Sequence, residues 1–176
     1  MQKFKLVLVF LAGAITYLLA SLFFSTPEKD PYLGEMSEEQ VVNAAPAIQM
    51  YFYIKKYAKE YEIPEAYAFA LAYHETRYQG PFHMSYDHRA VSPSGAVGPM
   101  QIMPQYAHKY AGRRVTPREM RDNIQLNVKV SMKILRDRYN DYGDWGLVFG
   151  AYNTGTPCVN GYARSILRKE YSWVKM

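Results

Sequence analysis

The sequence predicts a mainly α-helical domain that follows one N-terminal membrane helix. After position 45, apolar residues recur at helical spacing, and prolines and glycines stand where helices would begin and end. Alternating apolar and polar residues, the pattern of a half-buried strand, are scarce, so at most one short hairpin is expected, within residues 79–99. Before position 25 the chain carries a long apolar run without charge.

That apolar run, residues 6–24, follows Lys3 and Lys5. Its length is close to the ~20 residues that span hydrocarbon. Residues 1–24 are therefore interpreted as a signal-anchor with its lysines on the cytoplasmic side, and a cleaved signal peptide is the alternative. Either interpretation sends the folded part of the protein across the membrane, where it stays anchored or, after cleavage, is secreted.

Residues 25–45 are polar and contain proline, which indicates a linker. Within it, Ser37 and Gln40 have the spacing of a capping box for a short helix. Residues 46–176 form the predicted domain. Pro46 opens a helix that runs to about position 61, and Pro64 opens the next one.

Later helices are predicted from their caps. Thr116 and Glu119 have the spacing of a capping box, with Pro117 at the first helical position. Asp122 or Asn123 caps a longer helix that ends before Gly143. On that helix one stripe is predicted, which consists of Ile124, Val128, Ser131 and Leu135. Residues 145–153 are apolar and small, as in a buried helix, and residues 162–171 form a last amphipathic helix.

Composition narrows the class of protein. The net charge of +5 is mild, and the basic residues do not cluster with aromatic ones, so nucleic-acid binding is not expected. Cys158 is the single cysteine, so no internal disulfide can form. The four histidines have no H-x-x-x-H pair, and neither a metal site nor a cofactor is predicted. Seventeen tyrosines offer flat apolar faces with polar tips, which suit sugars or the edge of a small core.

One carboxylate stands out. Glu75 shares a helical face with Ala68, Leu71 and Ala72, at i, i+3, i+4 and i+7. Small and apolar neighbours would desolvate it and raise its pKa, as a general acid near neutral pH requires. The alternative is an ordinary surface glutamate at a helix end.

A loop rich in Gly, Ser and Pro, residues 92–104, follows this helix and contains one side-chain amide, Gln101. Its glycines allow a ligand to approach the backbone closely.

Three segments together resemble the lytic transglycosylases of the soluble (SLT) type. HETRY (residues 74–78) is similar to the family's Glu-Ser-x-Phe motif. GAVGPMQIMP (residues 95–104) is similar to Gly-Ala-x-Gly-Leu-Met-Gln-x-x-Pro, and AYNTG (residues 151–155) to Ala-Tyr-Asn-Ala-Gly. The similarity covers roughly residues 51–171. It implies a lysozyme-like helical domain and a carbon–oxygen lyase that acts on peptidoglycan glycan strands. With the N-terminal segment, it also implies a bacterial cell-envelope protein whose catalytic domain is in the periplasm or outside, membrane-anchored or secreted.

The resemblance also implies roles for individual residues. Glu75 would be the single catalytic group, acting first as acid and then as base. It would cleave the β-1,4 bond between N-acetylmuramic acid and N-acetylglucosamine without water, leaving a 1,6-anhydro end. The predicted substrate-binding residues are Thr76, Met100, Gln101, Tyr152 and Asn153. Of these, Tyr152 and Asn153 would hold Glu75 and the substrate's acetamido group.

Several positions depart from the family pattern. Thr76 replaces a serine but keeps the hydroxyl, Pro99 replaces leucine, Thr154 replaces alanine, and Asn127 stands where glycine is common. The segment 78–90 is several residues longer than usual. Two other functions stay open. The first is a hydrolytic muramidase that uses Asp87 to direct water. The second is a non-catalytic wall-binding module of a secretion or conjugation assembly, with cell-envelope partners.

Overall fold

A computed structural model of the chain describes residues 33–169. The predicted membrane helix, residues 6–24, and the end of the last predicted helix lie outside the described residues. The chain divides into two compact units, Met1–Met36 and Ser37–Met176, and the second unit is described below. Across 33–169, none of the helices combines the length and the apolarity needed to cross a membrane.

The described residues are mainly α-helical, as predicted. Their eight helices are α1 (Glu38–Val42), α2 (Pro46–Glu60), α3 (Glu65–Thr76), α4 (Pro104–Ala111), α5 (Pro117–Asp122), α6 (Ile124–Tyr142), α7 (Trp145–Thr154) and α8 (Gly161–Leu167). The expected helix starts at Pro46, Pro117 and position 145 are confirmed.

Side-chain caps explain most of these starts. In each case the cap oxygen accepts a hydrogen bond from the backbone N–H three residues later; the caps are Ser37, Thr116, Asn123, Asp144 and Asn160. Each such cap typically stabilises a protein by about 1 kcal/mol. Only half of the capping box expected at Thr116 forms, because the Glu119 carboxylate pairs with Arg113 instead.

Helix α6 is the centre of the unit. It packs against α2, α4, α5 and α7, while α3 packs against α2 and α8. The predicted stripe on α6 is buried, namely Ile124, Val128, Ser131 and Leu135. Gly150 on α7 lies so close to the backbone carbonyl of Cys158 that any Cβ there would overlap it. The segment that leads into α8 therefore lies directly on α7.

The long connection between α3 and α4 has little regular structure. The hairpin expected there is reduced to two isolated antiparallel bridges, Val91 with Val97 and Val97 with Ile102. Two short bridges alone cannot hold a loop of this length, so side-chain hydrogen bonds from α3 and α6 matter more for its position.

Candidate active site

Glu75 lies in the last turn of α3. The residues that share its face, Ala68, Leu71 and Ala72, are fully buried. Arg77 then ends the helix in the left-handed conformation, with φ of 58°. The helix thus anchors Glu75 firmly in the core while its end opens toward the long loop.

The Glu75 carboxylate is withdrawn from water but not sealed off. Its side chain is half-buried. Burial raises the pKa of Glu75 to about 7, and a hydrogen bond donated by the Tyr162 hydroxyl opposes that rise. Near neutral pH the group therefore exists in both protonation states, which a residue that acts in turn as acid and as base needs.

Tyr162 was not among the residues predicted from the sequence. It lies in the first turn of α8, whose N-terminus Asn160 caps by accepting a hydrogen bond from the Ala163 N–H at 2.8 Å. Its ring also packs against His74, with 5.6 Å between the ring centroids. Tyr162 is 87 residues from Glu75 in sequence, outside the three motifs, so no local pattern indicated the pair.

Tyr152 serves the loop rather than Glu75. Its hydroxyl donates to the Met100 carbonyl at 2.7 Å, and the Ser131 hydroxyl lies 3.0 Å away as its second partner. Burial raises the pKa of Tyr152, and the nearby Glu75 charge raises it further. Tyr152 is therefore a neutral neighbour of Glu75.

Asn127 holds the other side of the loop. It is fully buried on α6 and uses its whole amide: the oxygen accepts from the Met100 N–H at 2.9 Å, and the nitrogen donates to the carbonyls of Val97 and Met120 at 3.0 and 2.8 Å. Gly98 makes this possible. It has φ of +78°, and a Cβ there would collide with the Asn127 amide and the Met120 carbonyl.

Gln101, in the same loop, has an unusual backbone conformation, with φ of +50°. Its side-chain nitrogen donates to the carbonyls of Gly98 and Ala90, at 2.9 and 3.2 Å. Both amide hydrogens are thus engaged by the loop itself. What Gln101 can offer a ligand in this conformation is its oxygen, an acceptor.

Thr76 and Met100 lie inside the framework. The Thr76 hydroxyl is 2.8 Å from the Pro99 carbonyl, to which it donates, and 2.7 Å from the Tyr86 hydroxyl. It therefore ties the end of α3 to the loop. The Met100 side chain is fully buried, so it supports the site from beneath instead of reaching a ligand.

A cavity of about 680 Å³ lies beside these residues. Its lining includes Gln101, Tyr152 and Asn153, and Asn153 is exposed. Glu75 is not part of the lining, and Tyr152 connects the two, because it borders the cavity and feels the Glu75 charge. Of the predicted site residues, these three share the cavity, and Glu75 adjoins it through Tyr152.

A second carboxylate does not join Glu75 among the described residues. Asp87 is exposed, and its oxygen accepts from the Arg89 N–H at 2.8 Å. It has no part in the raised pKa of Glu75, which arises from burial and is opposed by the Tyr162 hydrogen bond. Within residues 33–169, no group of three or more His, Cys, Asp or Glu side chains could hold a metal ion.

Comparison with known proteins agrees with the three motifs. The family model described as "Transglycosylase SLT domain" matches residues 52–172. Two solved structures of the 70-kDa soluble lytic transglycosylase are similar: one from Escherichia coli and one in complex with bulgecin A. Each is 27% identical, with a TM-score of 0.49, and the match covers 67% of this chain and 18% of that one. No curated protein matches the chain.

Proposed function

The chain belongs to the transglycosylase SLT domain family, and from that premise we propose that it is a peptidoglycan lytic transglycosylase. It cleaves the β-1,4 bond between N-acetylmuramic acid and N-acetylglucosamine and leaves a 1,6-anhydro-muramic acid end. The observation that carries this proposal is Glu75, a carboxyl group whose pKa is raised to about 7 and which has one hydrogen-bond donor, Tyr162.

In the first step Glu75 acts as general acid. The protonated carboxyl gives its proton to the glycosidic oxygen, and the bond from that oxygen to C1 of the muramic acid breaks. The muramic acid's own N-acetyl oxygen stabilises the positive charge at C1. A pKa near 7 supports this step, because an ordinary glutamate would already be ionised at neutral pH.

In the second step the same group acts as base. The Glu75 carboxylate takes the proton of the muramic acid 6-hydroxyl, O6 bonds to C1, and the 1,6-anhydro ring closes without consuming water. Glu75 ends the cycle protonated, as it began. Tyr162 stabilises the intermediate carboxylate by donating its hydroxyl hydrogen.

The other site residues bind the glycan strand or hold the loop in position. Gln101 and Asn153 border the cavity, where we assign them contacts with the glycan strand, Gln101 through its oxygen. Tyr152 presents its ring to the cavity while its hydroxyl fixes the Met100 carbonyl. Thr76 and Met100 keep the loop at the correct distance from α3, which the reaction needs because misplacement of about 1 Å can cost a hundredfold in rate.

Placement at the cell envelope belongs to the same proposal. Peptidoglycan is an extracytoplasmic polymer, so the domain acts in the periplasm or outside, anchored by residues 1–24 or released by their cleavage. Partnership with a secretion or conjugation assembly is compatible with this placement.

The decisive experiment identifies the products of purified sacculi by mass spectrometry. We expect anhydro-muropeptides from the unsubstituted protein and at least about a thousandfold less release from Glu75→Gln, because one residue supplies both proton transfers. Products that carry reducing ends, heavier by one water, would favour the hydrolytic muramidase. Undiminished release by a folded Glu75→Gln would contradict the role of Glu75, and binding without any release would favour the wall-binding module.

A further inference from the structure

One cation in the cavity wall has neither a hydrogen-bond nor an ion-pair partner among the described residues. Arg138, on α6, lines the cavity, and its Nη1 atom is buried without a hydrogen bond to any group within residues 33–169. No ion pair involves Arg138 in the same part of the chain. Its guanidinium lies over the Tyr152 ring, 5.9 Å from the ring centroid.

Most other cations of this region have partners. Lys109 also borders the cavity, but its ammonium group donates to the Asp137 carboxylate at 3.0 Å. Arg136, two residues before Arg138, donates to the carbonyls of Tyr61 and Glu62. A guanidinium retained in a partly buried position without such partners is costly unless something else supplies an acceptor.

The residues that line the cavity favour an anion as the hydrogen-bond acceptor for Arg138. Its described lining contains two cationic side chains, Lys109 and Arg138, and no acidic one. Tyr106, Tyr110 and Tyr152 add flat aromatic faces, and Tyr106 is 54% exposed. Aromatic faces bind sugar rings, and a planar guanidinium fork binds carboxylates with two parallel hydrogen bonds. The combination fits a sugar that carries a carboxylate arm.

We propose that Arg138 binds a carboxylate on the lactyl arm of a muramic acid in the glycan strand, and so makes the cavity selective for anionic strands. This inference rests on the proposed function. The carboxylate has two sources with the same chemistry: the lactyl group itself in strands without peptides, or the peptide stem attached to it. N-acetylglucosamine polymers carry neither group.

The test compares strands that differ only in charge. Short strands of alternating N-acetylglucosamine and N-acetylmuramic acid are prepared without peptides, with the lactyl group as carboxylate or as carboxamide. A second pair carries peptide stems with free or amidated carboxylates. Binding is measured calorimetrically with the full chain in detergent, carrying Glu75→Gln so that the strands stay intact.

We expect the carboxylate strand to bind at least about tenfold more tightly than its carboxamide counterpart, the usual scale of a charge-assisted hydrogen bond. Adding Arg138→Gln should abolish that preference, while Arg114→Gln, which makes the same change of charge at an exposed site outside the cavity lining, should keep it. A preference in the peptide-free pair identifies the lactyl group, and a preference restricted to the second pair identifies the stem.

Three results would overturn the inference: equal binding of the strands in both pairs, a preference that survives Arg138→Gln, or an equal loss in Arg114→Gln. If Arg138→Gln unfolds, Arg138→Met replaces it, since methionine keeps the apolar stem on Tyr152 without the charge. The proposed function is tested apart from this, by release of anhydro products from the carboxamide strand with Glu75 intact. Release without preference removes only the role of Arg138, and preference without release removes only the reaction.

Discussion

Glu75 and Asn127 show two ways in which this unit withdraws a polar side chain from water. Asn127 is fully buried, and both its amide nitrogen and its oxygen have backbone partners. Glu75 is half-buried, its one hydrogen-bond donor within residues 33–169 is Tyr162, and its pKa rises to about 7. Burial with complete hydrogen bonding fixes a structure, whereas burial with too few partners leaves a proton easy to move. The loop side of the site, around Asn127, is buried with complete hydrogen bonding, whereas the acid side, around Glu75, is buried with too few partners.

The largest effect on stability is expected on the loop side. Asn127→Ala would remove three hydrogen bonds, to the Met100 N–H and to the carbonyls of Val97 and Met120, at a combined cost of about 3 kcal/mol in the free energy of unfolding. Urea denaturation measures it. Asn123→Ala, which removes only a helix cap on the same helix, is the control and should cost about 1 kcal/mol. Equal losses in the two variants would mean that the hydrogen bonds of Asn127 do not hold the loop in place.

On the acid side, substitution of Glu75 is expected to raise the stability of the protein, and the size of the gain depends on pH. Because the pKa of Glu75 is about 7 in the folded chain against an ordinary value of 4.5, folding favours its protonated form. That stabilisation is complete below about pH 4.5 and is lost as the pH rises through 7. Glu75→Gln should therefore be more stable than the unsubstituted protein at pH 8, by up to about 3 kcal/mol, with little difference at pH 4.5. Thermal unfolding at both pH values measures this, and a gain independent of pH would contradict it.

Tyr162→Phe removes the hydrogen bond that the Tyr162 hydroxyl donates to Glu75. The Tyr162 hydrogen bond lowers the pKa of Glu75, so Tyr162→Phe should raise that pKa and shift the alkaline limb of the pH–rate profile to higher pH. Tyr152→Phe is the matched control, because its hydroxyl donates to the Met100 backbone and not to Glu75. The two roles would be reversed if Tyr152→Phe shifted the profile and Tyr162→Phe did not.

The smallest effect is expected at the exposed carboxylate. Asp87→Asn should change the rate of muropeptide release by less than about twofold, as surface substitutions usually do. A hundredfold loss would mean that Asp87 directs a water molecule, and would move the proposal toward a hydrolase.

Local signals in the sequence were enough for most of the helices, although α4 was not predicted. Prolines at first positions, Ser37, Thr116 and Asn123 as caps, and the buried stripe on α6 were all predicted and are confirmed, because each depends on neighbours within a few residues. The mainly α-helical class is confirmed as well, and so is the SLT-type domain. Residues 1–24 as a membrane segment and the domain boundaries stay predictions.

Long-range partners were beyond the sequence. The Glu75 face was predicted from helical spacing, but Tyr162 reaches it from another helix, and only packing of α3 against α8 brings the two together. Asn127 was noted only as a departure from glycine, and its three bonds to the loop depend on a register that no periodicity encodes. The roles of the predicted substrate-binding residues remain to be tested by ligand complexes.

Gly98 and Asn127 have a practical consequence for engineering this domain. The amide fills the space that a side chain at position 98 would occupy, so each residue sets the room available to the other. If α6 came from a relative with glycine at position 127, the loop would lose the three hydrogen bonds that hold it here. Chimeras of this domain should therefore exchange residues 98 and 127 as a pair.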